Sequence, residues 1–156
     1  MFSIAHASFA GRVRPAFTLA ESLAVLSIAG ILLALVVSRF SSRADRLAVR
    51  SAIGDAEAVF AAGRELALSH RTEVAVLVDT LYGDMRVMEH GTRLTARRLR
   101  AVYGVRLTAT RDSMVYDARG LGRGVANLRV VALRGAASDT LFVSRLGRVR
   151  RAGQVP

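Results

Sequence analysis

A chain of 156 residues holds one modest hydrophobic core, which excludes a multidomain assembly and leaves room for a single globular domain plus extra segments. It has no cysteine, which excludes disulfide staples and thiolate metal sites, and 52% of it is hydrophobic, so one segment is expected to belong in lipid. The net charge is +11 and all 23 basic residues are arginine; they are spread along the chain as solvated surface charges would be, while their guanidinium forks leave an anionic partner open.

Residues 1–16 are short and irregular and end in Gly11-Arg12-Val13-Arg14-Pro15-Ala16, a basic stretch closed by proline that reads as a leader. Residues 17–37 read FTLAESLAVLSIAGILLALVV, with Glu21 the only charge. At about 1.5 Å per residue a helix of this length spans roughly 30 Å, the thickness of a bilayer's hydrocarbon core. A helix can cross because it satisfies its own backbone, and Gly30 is tolerated in such a segment. A transmembrane helix is therefore expected over 17–38.

No proline occurs between Pro15 and Pro156, so the helix is expected to continue as an amphipathic segment over 39–70. Val49, Ala52, Ile53, Ala56, Phe60 and Ala67 recur at helical spacing, with Arg50, Asp55, Glu57 and Glu65 off that stripe. Gly54 and Gly63 each cost about 1 kcal/mol relative to alanine and mark expected bends.

From residue 71 to the end the pattern becomes β-like, with strands expected at 73–79, 84–88, 105–110, 113–117, 128–133 and 140–143. Turns are expected at 79–83 and 145–148. An antiparallel sheet needs a cover for its apolar face, and the stripe over 49–67 is the long amphipathic element available. The fold class is α+β: a long N-terminal helix, half transmembrane and half amphipathic, packed on a small antiparallel β-sheet domain.

Glu21 is the most informative residue, because a carboxylate near the start of an apolar helix is costly in lipid and demands a partner or a purpose. An ordinary secretory signal, with Arg12 and Arg14 as its basic region, leaves Glu21 unexplained and lacks a convincing small-x-small cleavage site after Leu35. A plain anchor explains the length but not the charge.

Ala16 followed by Phe17-Thr18-Leu19-Ala20-Glu21 and an uninterrupted apolar run resembles the prepilin N-terminal motif of type IV pilins and type II secretion pseudopilins. The resemblance implies that a membrane prepilin peptidase cuts between Ala16 and Phe17 on the cytoplasmic side and methylates the new amino group of Phe17. It implies that Glu21, the fifth residue after the cut, pairs with the cationic N-terminus of a neighbouring subunit during filament assembly. Physically, two buried charges are tolerated in lipid when paired. The family usually has glycine where this chain has Ala16, a branched apolar residue at Ala20, and in major pilins often a proline at Ser38; these departures fit a minor subunit.

The segments 114–120, 128–133 and 141–150 are similar to the C-terminal half of H-type minor pseudopilins and FimT-like minor pilins. Gly147-Arg148-Val149-Arg150 resembles the basic tail of FimT-like DNA-binding pilins, so Arg148 and Arg150 are possible DNA contacts, against the plainer reading of a solvated strand end. Arg39, Arg43, Arg46 and Arg50 outnumber Arg12 and Arg14, so flanking charge alone would put the C-terminal side in the cytoplasm. The resemblance implies the reverse, a single-pass protein of the bacterial inner membrane with its β-domain in the periplasm, and flanking charge is a poor guide for so long a segment.

His6, His70 and His90 have no ligand spacing, Gly120 to Gly124 is glycine-rich without a following helix or lysine and reads as a flexible turn, and no nucleophile signature nominates a triad. Tyr82, Tyr103 and Tyr116 are read as sheet packing. No cofactor, metal or catalytic residue is expected. The expected function is a minor pseudopilin of the type II secretion pseudopilus, whose partners are the peptidase, other pseudopilins or minor pilins, and the inner membrane. The alternative is a FimT-like minor pilin that binds DNA during uptake.

Overall fold

The computed structural model describes residues 18–123 and 127–152, with the backbone alone at 36–39. One helix, α1, runs over Leu19–His70, and the chain divides after Ser38 into two units. In the first, α1 is apolar all round: Leu19, Leu23, Val25, Leu26, Ile28, Ile31, Leu32, Leu33 and Leu35 are all exposed. A helix hydrophobic on every face belongs in apolar surroundings, and among the described residues nothing covers these side chains. It is the one helix among the described residues long and apolar enough to cross a bilayer. The Ser27 hydroxyl donates to the Leu23 carbonyl at 2.8 Å, so this polar group is satisfied without water.

In the second unit the expected stripe is the buried face of α1: Val49, Ala52, Ile53, Ala56, Phe60 and Ala67 are buried, joined by Val59. Both glycines lie inside an unbroken helix. At Gly63 the reason is contact: a Cβ there would sit 2.5 Å from Val76 Cγ2, so the glycine lets α1 lie close against the first strand. The helix ends on Arg71, which adopts φ +52 while the Thr72 N–H donates to the Ala67 carbonyl at 3.3 Å, the bonding of a Schellman cap.

Among the described residues the strands are β1 Val74–Asp79, β2 Asp84–Glu89, β3 Thr92–Arg98, β4 Arg106–Ala109, β5 Ser113–Tyr116, β6 Gly122–Arg123, β7 Leu128–Arg134, β8 Ala137–Val143 and β9 Val149–Arg151, with a short helix α2 at Leu99–Tyr103. They form two antiparallel sheets, ordered β3-β2-β1-β5-β6 and β4-β7-β8-β9, where one sheet was expected. All six expected strands exist, and 79–83 and 145–148 are the turns of the β1–β2 and β8–β9 hairpins. The glycine-rich run expected to be a flexible turn contributes a strand instead: Gly122 and Arg123 pair with β5, and the Gly122 N–H donates to the Arg145 carbonyl at 2.7 Å.

The core lies between α1 and the two sheets, with Val74, Val76, Met85, Val87 and Tyr116 from the first and Leu107, Leu128, Val130, Leu141 and Val143 from the second. Tyr116 is fully buried and its hydroxyl has no hydrogen-bond partner among the described residues. Burial pushes its pKa up to about 12.

Candidate functional site

The start of α1 is built by local hydrogen bonds. The Glu21 N–H donates to Thr18 Oγ1 at 3.2 Å and the Ser22 N–H to the Thr18 carbonyl at 3.1 Å, so Thr18 caps the helix and Glu21 stands in its first turn. Thr18-x-x-Glu21 is the spacing of a capping box, and a carboxylate there also opposes the positive end of the helix dipole. This is a local role for Glu21 that sequence reading missed, although the T-x-x-E signal is plain in retrospect. The Glu21 carboxylate is exposed and has no ion-pair partner among the described residues. Ala16 and Phe17, where cleavage and methylation are expected, lie outside the described residues.

Polar contacts fix the second half of α1 on the sheets in chain order. Asp45 pairs with Arg134 of β7 at 2.9 Å, the Tyr103 hydroxyl donates to Asp55 at 2.9 Å, and Glu57 accepts from Arg151 of β9 at 2.8 and 2.9 Å. Further along, Arg64 Nε donates to the Gly120 carbonyl at 3.0 Å, and His70 Nδ1 lies 2.8 Å from Glu89 of β2. The hydrogen bond to Asp55, helped by partial burial, raises the Tyr103 pKa. These pairs place one helix across both sheets, its earlier turns on the second sheet and its last turns on the first.

The expected basic tail is the β8–β9 hairpin. Its turn is closed by the Gly147 N–H to the Ser144 carbonyl at 2.9 Å, the Ser144 N–H to the Arg148 carbonyl at 2.8 Å and the Arg148 N–H to Ser144 Oγ at 3.1 Å. Gly147 is required there: its φ is +72, and a Cβ would meet the Gly120 carbonyl oxygen at 2.7 Å. Arg145, Arg148 and Arg150 are exposed, with no ion pair among the described residues, whereas Arg151 is held by Glu57. Arg150 lies opposite Phe142 on β8, and with Leu146 and Arg148 they line an open groove of about 580 Å³. The hairpin thus presents guanidinium groups beside exposed apolar side chains.

A second arginine concentration escaped the sequence reading. Between Glu89 and Asp112 there are six arginines and no acidic residue, a signal visible in the sequence once charge is counted by segment. Among the described residues no group of three or more His, Cys, Asp or Glu gathers as metal ligands would.

No protein-family model and no curated protein sequence matches the chain. Solved structures do: two crystal forms of the Pseudomonas aeruginosa type IV minor pilin FimU superpose with TM-scores of 0.56 and 0.54 at 13% identity, each covering 65% of this chain and 86% and 90% of the respective FimU chain. The likeness spans about two thirds of the chain, and with its helix packed on antiparallel sheets this chain has a type IV pilin-like fold.

Proposed function

We propose that this chain is a non-enzymatic structural subunit of a pilin-like filament, in the position of a minor pseudopilin of a type II secretion machine. One observation carries the reading: an apolar helical stretch with a single carboxylate in its first turn, Glu21, unpaired among the described residues, belongs to the same helix that covers a pilin-like β-domain. A carboxylate so placed in lipid calls for a cation, and the amino group that cleavage before Phe17 would expose in a neighbouring subunit supplies one. Assembly then runs through residues 17–37 in the inner membrane, with the β-domain in the periplasm making lateral contacts.

The capping geometry decides which substitution tests this. Glu21→Gln keeps a side chain able to complete the capping box but removes the charge, so the helix survives with a weakened dipole interaction and pairing is lost. Co-purification of partner pseudopilins with the full chain should fall sharply for Glu21→Gln. Unchanged co-purification would refute the pairing role. The second reading, a minor pilin of a type IV pilus that contacts DNA through Arg148 and Arg150, is supported by the fold likeness to FimU and by the unpaired state of both arginines. Deleting the gene separates the two: loss of secreted enzymes supports the pseudopilin, and loss of surface pili or DNA uptake supports the pilin.

A further inference from the structure

β3 is the outer strand of the five-stranded sheet, paired with β2 on one side. Among the described residues nothing bonds the backbone along its other side. Its sequence TRLTARR buries no side chain, and Arg93, Arg97 and Arg98 are exposed. An open edge this rich in charge is commonly explained as protection against edge-to-edge aggregation.

The register shows more than protection. β2 buries Met85 and Val87 and turns Asp84, Arg86 and Met88 to the opposite face. Arg98 lies opposite Asp84, and Arg93 lies opposite Met88, because the register shifts between Val87 and Met88. Arg93 and Arg98 are five positions apart and would face opposite ways on a regular strand. The β-bulge brings both, with Arg86, onto one face. They line one groove of about 800 Å³ that runs along the strand edge, together with Asp84, Leu94, Arg97 and Val102. Arg86 is tied to Asp79 at 3.0 Å, whereas Arg93 and Arg98 have no ion pair among the described residues.

We propose that the β3 edge and this groove bind an acidic, extended polypeptide segment of a partner protein. The segment adds to the sheet as a further strand, with carboxylates on Arg93 and Arg98 and apolar side chains against Leu94 and Val102. The free N–H and C=O groups of an edge match another peptide backbone, which supplies both donors and acceptors; a phosphate polymer offers acceptors alone. The arginine forks suit carboxylates bidentately. A second copy of this chain is a poor occupant, because two such edges would bring arginines against arginines. Residues 1–17, 124–126 and 153–156 contain no Asp or Glu, so the partner must bring the negative charge. The surface is distinct from α1, and the proposal stands whether or not the chain assembles through Glu21.

The test uses the full chain in detergent micelles and a fluorescein-labelled synthetic peptide alternating glutamate with valine. Anisotropy should report saturable binding that weakens with salt. Arg93→Gln with Arg98→Gln should weaken it by about tenfold with an unchanged melting temperature, while Arg148→Gln with Arg150→Gln should leave it unaltered. Methylating alternate backbone nitrogens of the peptide keeps its charge but removes its edge donors, and should abolish binding. No binding of the unmodified peptide, equal binding of the methylated one, or a duplex DNA or phosphatidylglycerol micelle displacing the peptide at lower charge concentration would each overturn the proposal.

Discussion

Gly63→Ala is the sharpest test of how α1 meets the sheet. In an exposed helix this change stabilises by about 1 kcal/mol, since alanine is the better helix former. Here the new Cβ would stand 2.5 Å from Val76 Cγ2 with Tyr116 ring atoms at 3.7 and 3.8 Å, so helix and strand must part or Val76 must leave its rotamer. Overpacking of this kind costs about 1–3 kcal/mol, which outweighs the propensity gain and leaves a net destabilisation of about 1 kcal/mol. Val76→Ala removes the clashing methyl; alone it loses about 2 kcal/mol of burial, but combined with Gly63→Ala the two should be less harmful than their sum by about 1–2 kcal/mol. Denaturant unfolding of the four chains in the same micelle, followed by circular dichroism, measures the cycle. A stabilised Gly63→Ala variant, or strict additivity, would refute the close approach of α1 to β1.

Two further predictions concern titration and burial. Tyr116→Phe removes a buried hydroxyl without a partner and should raise stability by about 1 kcal/mol at neutral pH. Because the folded pKa of Tyr116 is raised from 10.0 to about 12, its share of stability is present below pH 10 and lost as pH rises through 12; alkaline melting curves of Tyr116→Phe should show less of that loss. Asp117 accepts from the Leu121 and Arg119 N–H groups at 3.0 and 2.9 Å, chiefly the former holding its pKa below 3.8. That contribution is present above pH 3.8 and lost as pH falls further, so Asp117→Asn should flatten the acid limb of the stability profile.

The elements legible in the sequence are those whose burial writes a period. The 3.6-residue stripe from Val49 to Ala67 and the alternation of Val74, Val76 and Val78 come directly from one-sided burial. β3 was illegible because it buries nothing: an edge strand held by backbone pairing leaves no apolar alternation in TRLTARR. β6 and β9 are two and three residues long, too short to carry a period, and each is held by backbone pairing with the strand just before it, β5 and β8. The division into two sheets is likewise a matter of strand partners, which local pattern does not encode. At the site, the motif around Glu21 and the exposed arginines of the β8–β9 hairpin could be read in advance. The capping role of Thr18 was written in its local T-x-x-E spacing, whereas the Glu57–Arg151 pair and the bulge that gathers Arg93 with Arg98 needed three dimensions.

The proposed assembly route depends first on processing at the segment before α1. Co-expressing the full chain with an active prepilin peptidase and measuring the intact mass of the purified product tests it most directly. Loss of residues 1–16, with one added methyl group on Phe17, is the predicted result, and Ala16→Gly should reach it faster. A chain that keeps Met1 while the same peptidase cuts a control prepilin would contradict the account.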